Sequence, residues 1–138
     1  MSELYAVTSG DPAGIGPDIS LKIALREDSH QFVVFGNMNL LKERAEMHAM
    51  DIKFIEFDEA TSDSQIQKNT LLVKNFNLNQ SIQPGVMDSK NGSYTLSMID
   101  DAVKGCMDGR FTGCITGPVN KESIAKSGYE FSGHTEYI

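Results

Sequence analysis

The sequence predicts an α/β fold built on a mostly parallel sheet. Three observations point there. Strand-like and helix-like segments alternate along the chain. The stretch 31–36, Gln-Phe-Val-Val-Phe-Gly, is almost unbroken apolar sequence, the mark of a strand covered on both faces. Two strand candidates, at 4–8 and 112–116, run straight into glycine- and proline-containing turns followed by helical patterns, as βα units do at the carboxyl edge of a parallel sheet.

The elements follow in order. Leu4–Thr8 reads as the first strand and enters Ser9–Pro17, which holds Gly10, Gly14, Gly16, Pro12 and Pro17. Proline is favoured in the first helical turn, so a helix is expected over Asp18–Leu25, with apolar residues at 19, 21, 23, 24 and 25. Gln31–Gly36 is the buried strand. Asn39–Met50 is helical: Leu40, Leu41, Ala45, Met47 and Met50 alternate with Lys42, Glu43, Arg44 and Glu46. Ile52–Phe57 alternates apolar and charged residues, as a strand near a sheet edge does. Polar stretches over 58–69 and 75–85 read as loops flanking a short strand at Thr70–Val73. Ser89–Met107 is a long amphipathic helix stopped by Gly109. Thr112–Thr116 is a strand opening onto Gly117-Pro118, Val119–Ser127 a short helix, and Phe131–Thr135 a turn. Thr135–Ile138 has the pattern of a helix cap and first turn, so the chain is expected to be truncated.

Composition narrows the function classes. The chain has 138 residues, 12 Lys+Arg against 19 Asp+Glu and a net charge of −7. That length suits one domain of common size. The acidic balance and the absence of any Lys/Arg cluster argue against a nucleic-acid partner. No apolar run approaches the roughly 20 residues of a membrane helix, and the N-terminus lacks the pattern of a secretory signal, so a cytoplasmic location is expected. Cys106 and Cys114 are too few for a disulfide scaffold and are expected as buried, reduced thiols.

Three segments carry possible chemistry. Gly10-Asp11-Pro12-Ala13-Gly14-Ile15-Gly16-Pro17 lies between strand and helix, where a backbone can approach a ligand. Its spacing matches neither a dinucleotide fingerprint nor a phosphate loop. Thr116-Gly117-Pro118-Val119-Asn120-Lys121 holds the same place after a later strand, and Lys121 offers a positive charge to an anionic substrate. Ser132-Gly133-His134-Thr135-Glu136 puts a histidine in a small polar turn able to hydrogen-bond a phosphate or hydroxyl. His30 and His48 have no evident role, and no metal site can be assembled from this chain.

In this order and at this separation, with Asn91-Gly92 heading the long helix, these segments resemble the 4-hydroxythreonine-4-phosphate dehydrogenase family of pyridoxal phosphate (vitamin B6) biosynthesis. The resemblance runs over the whole chain, which corresponds to the N-terminal portion of such an enzyme. It implies an α/β/α sandwich like that of isocitrate and isopropylmalate dehydrogenases, with residues 1–138 as the N-terminal α/β part of a two-domain, homodimeric enzyme. It also implies oxidation of a secondary alcohol of 4-phosphohydroxy-L-threonine by NAD or NADP, followed by decarboxylation, with a divalent metal (zinc, magnesium or cobalt) polarising the oxygens. His134 and Thr135 match the family's substrate-binding pair. Asp11, Gly14 and Lys121 match its motifs and are expected to line the site. The family's metal ligands have no counterparts in 1–138, so this chain alone is expected to be inactive. The alternatives are a paralogous dehydrogenase of four-carbon sugar-acid phosphates such as threonate or erythronate 4-phosphate, and an inactive folded fragment or binding module.

Overall fold

The computed structural model describes residues 4–58, 69–78 and 91–117. Five strands and three helices follow in the order β1 (Tyr5–Thr8), α1 (Gly16–Leu21), β2 (Phe32–Gly36), α2 (Met38–Met47), β3 (Lys53–Glu56), β4 (Thr70–Asn75), α3 (Asn91–Met107) and β5 (Gly113–Thr116). The strands form one sheet in the order β3-β4-β2-β1-β5, and every pairing is parallel.

Strand alternation sorts side chains to the two faces of the sheet. Val7, Val34, Leu71 and Val73 pack with Leu21 of α1 and with Leu41 and Ala45 of α2. Ala6, Val33, Phe35 and Leu72 pack on the opposite face with Tyr94, Met98 and Ala102 of α3. The described residues thus form three α/β/α layers, as the family resemblance implies, on the parallel sheet that the sequence predicts. β2 is central, and Val33, Val34 and Phe35 are fully buried, as its unbroken apolar run requires. β3 is an edge strand with its two charged ends exposed, as its alternation predicts.

Several boundaries differ from the predicted ones for local physical reasons. The first helix is α-helical only over Gly16–Leu21, with Pro17 in its first turn, and tightens to a 3-10 turn over Lys22–Leu25. The tighter turn suits apolar positions 23, 24 and 25, which do not follow a 3.6-residue period, and it buries Ala24. α2 begins one residue earlier than predicted because the Asn37 side chain accepts from Leu40 N–H at 3.0 Å. It ends at Met47, where Ala49 adopts φ 53° and Met50 N–H donates back to Ala45 O at 2.8 Å. β4 runs two residues past its prediction, to Asn75. The predicted helix over 119–127, the turn over 131–135 and the helix start at 135 lie outside the described residues, as does most of both predicted polar loops.

The cysteines need a correction. Cys106 and Cys114 are free but only half-buried. Cys106 sits in the last turn of α3 and Cys114 on edge strand β5, so both lie at the rim of the core and not inside it. Among the described residues no helix is long and apolar enough to cross a membrane. Ile15, Ile19, Leu25, Met47, Met107 and Ile115 are exposed.

Candidate functional site

The chain leaves β1 through α1 on one face of the sheet and reaches β5 from α3 on the other. β1 and β5 are neighbours in the sheet. Such a switch point opens a crevice at the carboxyl ends of the strands, where ligands bind in open α/β sheets. The segment after β1 and the segment after β5 meet there. Gly117 N–H donates to Thr8 O at 2.8 Å and lies 3.3 Å from Thr8 Oγ1. A Cβ on Gly117 would stand 2.6 Å from Thr8 O and 2.9 Å from the Ser9 carbonyl carbon, so this approach of two backbones requires glycine.

The turn after β1 is fixed by its own residues and by one helix residue. Gly10 adopts φ 80°. Asp11 is buried, its Oδ1 accepts from Ala13 N–H at 2.8 Å, and its carbonyl accepts from Gly14 N–H at 3.0 Å. This is the turn that an aspartate side chain builds by mimicking backbone. Arg44 of α2, 2% exposed, donates to Pro12 O, to Gly14 O at 3.1 Å and to Asp18 Oδ2 at 2.7 Å. The other Asp18 oxygen meets His48 Nε2 at 2.7 Å. A buried guanidinium thus ties α2 to the loop and to the start of α1.

The floor behind the loop is polar and satisfied. Ser9 donates twice to Phe35 O, from its backbone N–H at 3.0 Å and its hydroxyl at 2.8 Å. Tyr94 of α3 reaches the same edge, where its hydroxyl accepts from Asn37 N–H at 2.8 Å and meets the Ser9 side chain. Burial, opposed by these hydrogen bonds and reinforced by nearby Asp11, pushes the Tyr94 phenol up to about 12. It is therefore a neutral hydrogen-bonding group at physiological pH.

The predicted site residues fare unequally. Asp11 and Gly14 share one turn at the predicted sheet edge, and the segment opening at Thr116-Gly117 joins the same edge. Lys121, His134 and Thr135 lie outside the described residues. Reading by sequence missed Arg44, assigned there to a charged face, and missed Tyr94, Ser9 and Asn37 altogether. The signal for Arg44 was present: it falls between Leu40, Leu41 and Ala45 on the buried stripe of α2. Among the described residues no group of three His, Cys, Asp or Glu side chains could hold a metal ion. They also offer no glycine-rich fingerprint for a nicotinamide dinucleotide. A cleft of about 370 Å³ lies between α1 and β5, lined by Val7, Ile19, Ile23, Phe32 and Ile115 and ending at Gly117. Its walls are mostly apolar, and Thr8, Thr116 and Gly117 of the sheet edge line one end of it.

Fold and edge together define a doubly wound α/β arrangement whose candidate site lies at the turns after β1 and β5. The chain belongs to the family described as pyridoxal phosphate biosynthetic protein PdxA, whose model matches residues 28–138. It is 40% identical over 138 residues to a 4-hydroxythreonine-4-phosphate dehydrogenase of Pseudoalteromonas translucida. It is 36% identical over 138 residues to one of Vibrio vulnificus. Both alignments cover 100% of this chain and 42% of the relative, so the chain spans less than half the length of these curated relatives. Among solved structures, a 4-hydroxythreonine-4-phosphate dehydrogenase from Klebsiella pneumoniae superposes with a TM-score of 0.87 at 29% identity. That match covers 98% of this chain and 43% of the other. The fold of a terephthalate 1,2-cis-dihydrodiol dehydrogenase from Burkholderia xenovorans is also similar, with a TM-score of 0.74 at 20% identity.

Proposed function

We propose that this chain supplies part of the substrate site of a nicotinamide-dependent dehydrogenase that oxidises 4-phosphohydroxy-L-threonine on the way to pyridoxal phosphate. The observation that carries the reading is the alignment of all 138 residues with relatives bearing that activity in their names. The two glycine-proline segments of the motif set meet at one sheet edge, in support of it. On this reading residues 1–138 form the N-terminal α/β part of a two-domain, homodimeric, cytoplasmic enzyme. The choice between NAD and NADP, and the divalent metal, rest with residues beyond this segment.

The roles of this chain's residues are those that the family resemblance implies, and their chemistry suits them. His134 holds a substrate phosphate or carboxylate oxygen by a hydrogen bond, and Thr135 adds a hydroxyl to the same substrate. Lys121 attracts the dianionic phosphate group. Asp11 and Gly14 shape the wall of the site, since the Asp11 Oδ1 is committed to the turn and Gly14 lends its carbonyl to Arg44. A nicotinamide cofactor accepts the hydride when bound; binding and orienting the phosphorylated substrate is the part assigned to this chain.

The test is a chimera in which residues 1–138 replace the matching portion of the Pseudoalteromonas translucida relative. Nicotinamide reduction is followed with 4-phosphohydroxy-L-threonine and, separately, with threonate and erythronate 4-phosphates. The proposal expects the highest kcat/KM with the amino-acid phosphate. A folded chimera that prefers a sugar-acid phosphate would assign the chain to the paralogous activity instead.

A further inference from the structure

The turn from α3 into β5 brings two cysteines to one core cluster. Gly105 O accepts from both Arg110 N–H, at 2.9 Å, and Phe111 N–H, at 3.2 Å, and Gly109 adopts φ 81°, so the chain reverses directly after the helix. The Phe111 ring then folds onto Gly105, where a Cβ would come within 2.5 Å of it. β5 consequently runs back past the end of α3. Cys114 stands opposite Ala6 in the β1–β5 ladder, and Cys106 and Cys114 both pack against the core cluster that contains Ala6 and Phe111. The two thiols are free and half-buried, they pack against the same core cluster, and Cys114 lies near enough to act on the Cys106 thiol.

We propose that Cys106 and Cys114 form a reversible intrachain disulfide when the chain meets a peroxide oxidant. Nothing in the proposed dehydrogenase chemistry uses either thiol. One thiolate attacks a peroxide oxygen; the O–O bond breaks, giving a sulfenic acid and a hydroxide that takes up a proton to become water. The second sulfur attacks the sulfenic sulfur; the S–S bond forms, the S–O bond breaks, and the departing hydroxyl leaves as water with the second thiol's proton. Two thiols lose two electrons and two protons in all, and the peroxide is reduced to two waters. A dithiol reductant reverses the change.

Geometry supports this pair over incidental packing. Both residues sit at the rim of the core, where a small oxidant has access. Burial, together with the adjoining Cys114 thiol, pushes the Cys106 thiol up, so Cys106 is a poor first nucleophile at neutral pH and suits the resolving role. The cross-link would tie the last turn of α3 to β5, two positions ahead of Thr116 and the junction of Gly117 with Thr8.

The experiment treats the 138-residue chain with one equivalent of hydrogen peroxide, folded in buffer and unfolded in urea. Alkylation by iodoacetamide and mass spectrometry follow. The proposal expects both thiols to become unreactive to alkylation, with a mass loss of two hydrogens, no dimer, and full return on adding dithiothreitol. Because the fold holds the two thiols near each other, closure should be about tenfold or more faster in buffer than in urea. Cys106→Ser and Cys114→Ser should each lose the two-hydrogen change; Cys106→Ser should leave a trappable sulfenic acid or an intermolecular dimer, and Cys114→Ser, which keeps only the poorer nucleophile, should react with peroxide more slowly. Two thiols still open to alkylation after peroxide would overturn the proposal, as would a wild-type product that is chiefly dimer or a rate no greater in buffer than in urea. The wild-type comparison stands even if a serine variant folds poorly.

Discussion

Replacing Arg44 by methionine removes a buried side chain that ties α2 to the loop after β1. The side chain is 2% exposed and makes hydrogen bonds to Pro12 O, Gly14 O and Asp18 Oδ2. Methionine keeps much of the apolar stem, so the loss falls on these bonds. Hydrogen bonds to a charged group are worth about 1.5–3 kcal/mol each, but they do not add when they share a donor. Removing one partner of a buried ion pair costs about 3–5 kcal/mol. Asp18 is 23% exposed and keeps His48 as a partner, so it can rehydrate in part, which places Arg44→Met near the lower end, at about 3 kcal/mol. For a chain of this size that corresponds to a fall in Tm of about 10 °C. Arg44→Lys keeps the charge but loses the fork and should recover roughly half of the loss. Urea unfolding followed by far-UV circular dichroism reads the change as a shift in midpoint at constant slope. Lys42→Met, on the exposed face of the same helix, should stay within about 0.5 kcal/mol and serves as the control. An Arg44→Met variant within about 1 kcal/mol of the parent would refute the view that this guanidinium fixes the loop.

Gly117→Ala forces a Cβ to 2.6 Å from Thr8 O; we expect a loss of about 2–3 kcal/mol in thermal unfolding, and a change below about 0.5 kcal/mol would show that the two segments do not meet as described. Asp11→Ala should cost about 1 kcal/mol through the lost Ala13 N–H bond, whereas Asp11→Asn, which keeps that oxygen, should cost clearly less; equal losses would count against the turn-building role. The Tyr94 phenol is raised to about 12 in the fold from an ordinary 10.0, so the fold holds its proton more tightly than the unfolded chain does. That contribution is complete below about pH 10 and is lost as pH rises toward 12; ultraviolet titration should show one of the four tyrosines ionising later than the rest, and Tyr94→Phe should remove that late step.

The sheet was legible because β-strand burial writes itself into composition. Phe32–Gly36 could sit nowhere but the sheet centre, and the charge alternation of Lys53–Glu56 fits only an edge. The turns after β1 and β5 were legible as a shared edge because glycine and proline clusters mark places where backbone needs special freedom. The contents of that edge were less so. Asp11 shows a carboxylate in the sequence, but only the geometry reveals that one oxygen is committed to the turn. Arg44 reads as surface charge until its three backbone and carboxylate partners, contributed by residues 12, 14 and 18, are placed beside it. Helix ends shifted by one to three residues because a cap at Asn37 and a positive φ at Ala49 decide them, and neither belongs to hydrophobic periodicity. The half-buried state of the cysteines depends on β5 being an edge strand, which no local pattern specifies.

The central claim is that this chain carries substrate-contacting residues of the dehydrogenase site. His134→Ala in the chimera with the Pseudoalteromonas translucida relative tests it most directly, with kcat/KM for 4-phosphohydroxy-L-threonine and Tm measured on the same preparation. A hydrogen bond from His134 to a charged oxygen is worth about 1.5–3 kcal/mol, so kcat/KM should fall on the order of ten- to hundredfold while Tm stays within about 2 °C of the parent. An unchanged kcat/KM together with a lowered Tm would show that His134 serves stability and not substrate binding, and would contradict the claim.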